Sequence, residues 1–229
     1  MHIRYHGHSC IQLTDGAHSV LIDPFISGNP HAATRAEDIQ VGHILLTHGH
    51  DDHITDAVFV AKRNNASIVA VEELAEIMAG QGVSAEPMHV GGEWAFPFGR
   101  LYLTQATHTS SMRTPGGQRV YAGVPVGFIV KMGGKVVYHA GDTGLFGDMR
   151  QLGERFDIDV AFLPIGGRFT MGPEEALVAA EWLRARHIVP IHYGTFPPIR
   201  QDGEAFVRRL NGTGISGTAM KPGSELTIN

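Results

Sequence analysis

The run His48-Gly49-His50-Asp51-Asp52-His53 follows directly on the short apolar stretch His43-Ile44-Leu45-Leu46-Thr47. The apolar stretch reads as a buried strand. In α/β folds the ends of such strands commonly carry ligand sites, so four metal-competent side chains at this point constrain the fold more than any other feature. In a tight turn His48 and His50 can point to one side. Asp52 and His53, on the first turn of a following helix, can face a second position close by. Neutral imidazoles and a carboxylate suit zinc, manganese, iron or nickel. The bland alternative is a solvated polar turn, which rarely concentrates four such residues in six. The histidine count points the same way, since nine of 14 fall within the first 53 residues.

Further ligands should also stand at strand ends. Three positions qualify: His108 after Thr104-Gln105-Ala106-Thr107, Asp142 after Val136 to Gly141, and His192 after Ile188-Val189-Pro190-Ile191. Each alone would read as a surface or supporting residue. Together with the first cluster, their shared position favours ligation.

The surrounding pattern gives an α/β chain. Cys10 to Thr14 and His18 to Ile22 flank Asp15-Gly16 as a hairpin, and Pro24 stops the second strand. Residues 26–42 read as an irregular connection. Thr55 or Asp56 can cap a helix carrying Ala57, Val58, Val60 and Ala61. Ser67–Val71 is a strand and Glu72–Ala79 a helix. Arg100–Ala106 is a strand, Thr109–Gly123 a polar loop, and Val126–Met132 pairs with Lys135–His139 across Gly133-Gly134. Asp159–Leu163 and His187–Ile191 are strands around a helix Glu174–Arg186 opened by Pro173. A helix over Gly203–Leu210 and a strand over Leu226–Ile228 complete the chain. No linker divides the 229 residues, so a single domain, 1–229, is expected. Two sheets, each covered by helices on one side, stack as a four-layer αββα sandwich.

Composition excludes several classes. Hydrophobic residues at 43% rule out wholesale disorder. A net charge of -5 argues against a nucleic-acid polymer as partner. The lone Cys10 excludes internal disulfides and reads as a small buried residue. No segment has the length of a transmembrane helix and no signal-peptide core opens the chain, so no membrane is expected and a cytoplasmic location follows.

The chain resembles the metallo-β-lactamase superfamily, and within it the uncharacterised metal-dependent hydrolases related to L-ascorbate-6-phosphate lactonase. The segments that carry the likeness are Tyr5-His6-Gly7-His8-Ser9-Cys10, Leu21 to Phe25, Thr47 to His53, Ala140 to Gly144, Thr170 to Pro173 and Pro190 to Phe196. The resemblance implies that His48, His50 and His108 hold one divalent ion, that Asp52, His53 and His192 hold a second, and that Asp142 bridges them. It places Asp23 behind a ligand histidine as a hydrogen-bond acceptor. The implied cofactor is a pair of ions, zinc first, with manganese, nickel or iron(II) as alternatives. Diiron oxygen-reducing relatives carry glutamate where this chain has His50, which favours the hydrolytic branch.

The expected reaction is hydrolysis of a small ester, lactone, amide or phosphoester by a metal-bridging hydroxide, with Asp142 spacing the ions and Asp52 aiming the hydroxide. His8 reads as a proton donor or substrate contact, or else as a structural histidine beside Gly7. His139 reads as buried and hydrogen-bonded. The loop 109–123, with Pro115-Gly116-Gly117, reads as a lid or as a contact for self-association. Its Arg113 or Arg119 can bind an anionic group on a small-molecule substrate, or can be solvated surface arginines. The competing functions are a phosphodiesterase or nuclease acting on nucleotides, and a metal-binding protein without turnover.

Overall fold

The computed structural model describes residues 1–114 and 116–228; Pro115, which falls within the expected 109–123 loop, and Asn229 lie outside the described residues. The first half contains β1 (His2–Gly7), β2 (Cys10–Asp15), β3 (His18–Ile22), β4 (His43–Leu45), α1 (Asp51–Ile54), α2 (Ala57–Asn64), β5 (Ser67–Val71), α3 (Glu72–Ala79) and β6 (Ala85–Met88). The second contains β7 (Glu93–Phe96), β8 (Gly99–Gln105), β9 (Ser111–Arg113), β10 (Arg119–Tyr121), β11 (Val126–Met132), β12 (Lys135–His139), α4 (Met149–Arg155), β13 (Val160–Pro164), α5 (Pro173–Leu183), β14 (His187–Ile191), α6 (Gly203–Gly212), β15 (Ser216–Gly217) and β16 (Glu225–Thr227).

Two seven-stranded sheets result, in the orders β16-β1-β2-β3-β4-β5-β6 and β15-β14-β13-β12-β11-β8-β7. Helices α2 and α3 pack on the first sheet, and α5 and α6 on the second. The fold is therefore an αββα sandwich. Alternation along single strands shows the layering. Phe128, Val130, Val137, Val160 and Phe162 face the core between the sheets, whereas Ile129, Tyr138, Ala161 and Leu163 face the helices of the second half. Both faces of these strands are covered, which is why they read as continuous apolar runs rather than as alternating ones.

Directions follow from the pairing. Strands β3, β4 and β5 are parallel, as are β12, β13 and β14, and β8 runs with β12 because each is antiparallel to β11. The carboxyl ends of β3, β4, β8, β12 and β14 therefore lead into the residues read as the site. No helix among the described residues is long and apolar enough to cross a membrane.

Several elements differ from expectation. Residues 109–123 are not an irregular loop: Ser111–Arg113 and Arg119–Tyr121 pair as a separate two-stranded hairpin. The helix expected to reach Arg186 ends at Leu183, where Arg184 adopts a left-handed conformation with φ 51°. Asp56 sits at the N-cap of α2, but its carboxylate accepts from the Ile26 and Ser27 amides at 2.7 and 2.8 Å instead of capping the helix. Strand β1 and helix α4 were not expected. In β1, Ile3 and Tyr5 are buried while His2 and Arg4 are exposed, a half-buried alternation.

Candidate metal centre

Six polypeptide segments bring the candidate residues together. His8 lies in the turn between β1 and β2, Asp23 just past β3, and His48, His50, Asp52 and His53 past β4. His108, Asp142 and His192 follow β8, β12 and β14. Three of these residues adopt the left-handed backbone region, at φ 57° for His8, 48° for Asp23 and 52° for His192. Such conformations cost free energy in L-residues and persist where surrounding contacts enforce them. The contacts are present: the His8 carbonyl accepts from the His192 amide at 2.9 Å and from the Tyr5 hydroxyl at 3.0 Å.

Three groups of donor atoms lie within 4.8 Å of one another: His48, His50 and His108; His48, His53 and Asp142; and His8, Asp52, His53 and His192. Hydrogen bonds behind the rings assign their tautomers. The fully buried Asp23 carboxylate accepts from the Thr47 amide at 2.8 Å, the Thr47 hydroxyl at 2.7 Å and His53 Nδ1 at 2.8 Å. His53 Nε2 is therefore the nitrogen turned to the site, and it offers a lone pair once a cation replaces its proton. Because the Thr47 hydroxyl donates to Asp23, it accepts from His48 Nδ1 at 3.0 Å, so His48 Nε2 carries a lone pair. That atom stands 2.9 Å from His50 Nδ1.

His8 differs from the other ring donors. Its Nε2 lies 3.2 Å from the Asp52 carboxylate and its Nδ1 2.9 Å from the Thr195 hydroxyl. Burial, then the neighbouring His192, holds this ring down to about 4, so it is neutral. A neutral ring facing a carboxylate donates through Nε2 and accepts from Thr195 through Nδ1. The nitrogen that His8 turns to the site thus carries a proton, and His8 supports Asp52 rather than joining the lone-pair set.

The residues fit a divalent cation by a direct criterion. His53 Nε2, Asp142 Oδ1 and His192 Nε2 are buried and make no hydrogen bond among the described residues. His192 Nε2 lacks one although Asp142 Oδ2 is 3.0 Å away. Buried polar atoms without partners are costly, and atoms that converge while unpaired are those a cation satisfies. Electrostatics agree. Burial disfavours charge on His53 and His192, yet Asp142 outweighs it, holding His53 well above the ordinary histidine range and pushing His192 up to about 9. A field that draws a proton onto these rings draws a metal ion equally. His48, by contrast, is held well below the ordinary range, first by burial and then by His53, and burial also lowers His50 and His108. All three rings are neutral donors. Burial opposes the charge of Asp52 and Asp142 as well, but the surrounding histidines keep both carboxylates ionised.

Above these residues opens a cavity of about 410 Å³, the size of small-molecule sites. Its wall carries Arg119, Phe169 and Phe196. A larger cavity of about 780 Å³ lies at the opposite strand ends. There Arg186 Nη1 is 2.8 Å from Asp159 Oδ1, so its main charges are already paired. Of the other sequence candidates, His139 is buried with Nε2 at 2.9 Å from the Ser9 carbonyl, and Cys10 is buried. Arg113 does not line the cavity and instead meets Asp51, on its rim, at 3.8 Å. Thr47 and Thr195 escaped the sequence reading, because a single threonine beside a histidine has no pattern of its own.

Residues 2–192 match the model of the Beta-lactamase superfamily domain. Relatives include a UPF0173 metal-dependent hydrolase of Geobacillus thermodenitrificans, 52% identical over 228 residues that cover 100% of both chains. Among solved structures, Igni18, described as a novel metallo hydrolase from the archaeon Ignicoccus hospitalis, is 36% identical. Its match covers 100% of this chain and 98% of its own, with a TM-score of 0.91. An isothiocyanate hydrolase from Delia radicum gut bacteria shares the fold at 19% identity and a TM-score of 0.79, covering 100% and 99% of the two chains.

Proposed function

The chain belongs to the β-lactamase superfamily and is a metal-dependent hydrolase of it; on that footing we propose a dinuclear enzyme that cleaves a small ester, lactone, amide or phosphoester. His48, His50 and His108 would hold one cation and Asp52, His53 and His192 the other, with Asp142 placed to serve both. The single observation that carries this reading is the convergence of histidine ring nitrogens and ionised carboxylates in one buried cluster, several of them with no hydrogen-bond partner among the described residues. Histidine with carboxylate suits zinc first, with manganese, nickel or iron(II) also accommodated.

When bound, two such cations ionise water near neutral pH and draw charge from the scissile bond. The protein's own residues supply position. Asp23 holds His53, and Thr47 holds His48, so that each presents its lone pair without turning. Asp52, a third exposed to the cavity, accepts a hydrogen bond from the attacking water and aims it. His8, itself held by Thr195, fixes Asp52 in that role. No side-chain nucleophile is required, and the buried Cys10 and the hydrogen-bonded Ser110 are not needed as one.

The test combines elemental analysis of the purified protein with turnover of 4-nitrophenyl esters, lactones and phosphodiesters, before and after chelation. Two equivalents of metal, with activity lost on chelation and regained on metal addition, support the proposal. One equivalent at full activity, or turnover that survives complete metal removal, overturns it.

A further inference from the structure

The hairpin β9–β10 places Arg113 and Arg119 directly opposite each other in antiparallel register. Side chains so paired share one face, and like charges facing across strands destabilise the pair unless each finds a partner. Arg113 turns to Asp51. Arg119 has no carboxylate partner among the described residues; its Nη1 donates to the neutral Ser111 hydroxyl at 2.9 Å. A guanidinium has five N–H donors in a planar fork, so most of this one stays available.

Among the described residues, Arg119 is also the one arginine or lysine that lines the cavity above the metal-competent residues. Phe169 and Phe196 stand on the same wall, and Phe169 is 51% exposed although apolar. An uncompensated cation, an aromatic wall and a hydrolytic floor define a substrate with three parts. We propose that Arg119 is a specificity-determining residue that grips an oxyanion on the substrate, so that the site takes small anionic esters or lactones with an apolar portion in preference to neutral ones. The proposal rests on the hydrolase reading above. Its chemistry is bidentate pairing of a guanidinium with a carboxylate or phosphate, two groups that the test separates.

The experiment uses the metal-loaded protein, with Arg119→Ala, Arg119→Lys and, as control, Arg113→Ala. Calorimetry with phenylphosphonate and phenylacetate reads binding without turnover. Kinetics compare 4-nitrophenyl acetate with the carboxylate-bearing mono-4-nitrophenyl succinate. Arg119→Ala should weaken the anionic ligands on the order of 10- to 100-fold, the scale of a charge-assisted hydrogen bond. It should lower kcat/KM for the anionic ester at least about tenfold more than for the neutral one. Arg119→Lys should recover part of the loss, because it keeps the charge but not the fork. The ligand that loses more affinity in Arg119→Ala then names the group. Equal losses for charged and neutral esters, or equal effects of Arg113→Ala and Arg119→Ala on binding, overturn the proposal. If neither ester is hydrolysed, the ester reading falls on kinetics, while calorimetry still decides Arg119.

Discussion

Asp23 Oδ2 lies 2.8 Å from His53 Nδ1, with both side chains fully buried. The same carboxylate takes two bonds from Thr47, so one residue orients His53 directly and His48 through the threonine hydroxyl. Asp23→Asn keeps the shape and tolerates the left-handed backbone. It replaces an ionised acceptor with an amide that cannot receive all three donors. Zinc affinity should fall about 10- to 100-fold, measured by competition with a chromophoric chelator. Wild-type affinity in this variant would show that Asp23 does not orient the ligands.

His8 is held to a different role, because its site-facing nitrogen is a donor to Asp52. His8→Asn, compatible with φ 57°, should lower kcat by about 10- to 100-fold while elemental analysis still finds the wild-type metal content. Thr195→Val should move kcat in the same direction by less, since it removes only the bond behind the ring. Loss of one metal equivalent in His8→Asn would instead make His8 a ligand.

Asp142 is buried among His53, His108 and His192 at 3.4, 3.6 and 3.0 Å. Asp142→Ala should abolish turnover, at least about 1000-fold as expected when the ions lose their shared ligand, and leave the far-ultraviolet circular dichroism unchanged. A variant that keeps full activity on a verified substrate would refute the dinuclear mechanism.

His139 links the site's framework to acid stability. Its Nε2 donates to the Ser9 carbonyl and its Nδ1 accepts from the Gly141 amide at 3.1 Å, so the neutral ring is fully used. Burial, the largest influence, lowers its pKa below 6.5 in the folded chain. Between the unfolded value and that lower one, the unfolded chain binds the extra proton. The contribution to stability is thus complete above about pH 6.5 and is lost as pH falls. His139→Asn keeps an acceptor for Gly141 and does not titrate. With both proteins stripped of metal, the slope of stability against pH below 6.5 should be shallower in the variant by up to about 1.4 kcal/mol per pH unit. Identical urea-unfolding profiles from pH 5 to 7 would refute this.

The site was more legible than its surroundings. His48, Asp142 and His192 each follow a strand whose final residues are buried on both faces, and such strands announce themselves as apolar runs; His108 follows β8, where buried Leu101 and Leu103 alternate with more exposed residues. The hairpin was not legible, because Ser111–Arg113 and Arg119–Tyr121 are three residues each and set arginine against arginine, contrary to favourable cross-strand pairing. Strand β1 was obscured because His2 and Arg4 interrupt it on the solvent side. Helix α4 buries only Met149 and Leu152, too few apolar positions to mark a period. The supporting threonines depend on contacts that span the chain, Thr195 meeting His8 across 187 positions, and local pattern carries no trace of such pairs.

The hairpin's base rests on the metal-competent turn, and Gly49 is the point of contact. A Cβ at Gly49 would stand 2.6 Å from the Ala122 Cβ, closer than two carbons can approach. Beside it, the Ser110 hydroxyl accepts from the Gly49 amide at 3.2 Å and donates to the Ala122 carbonyl at 3.0 Å. Gly49→Ala should therefore push the hairpin outward and shift the neighbouring His48 and His50. Displacement of about 1 Å near reacting groups can cost on the order of 100-fold, so kcat/KM on the ester used above should fall at least about tenfold. Adding Ala122→Gly removes the clash at its other side, while the next contacts, Ser111 backbone atoms at 3.4 and 3.5 Å, are near ordinary packing distance. The double variant should regain most of the lost activity. Full activity in Gly49→Ala alone, or no recovery in the pair, would show that the approach of these two residues does not govern the site.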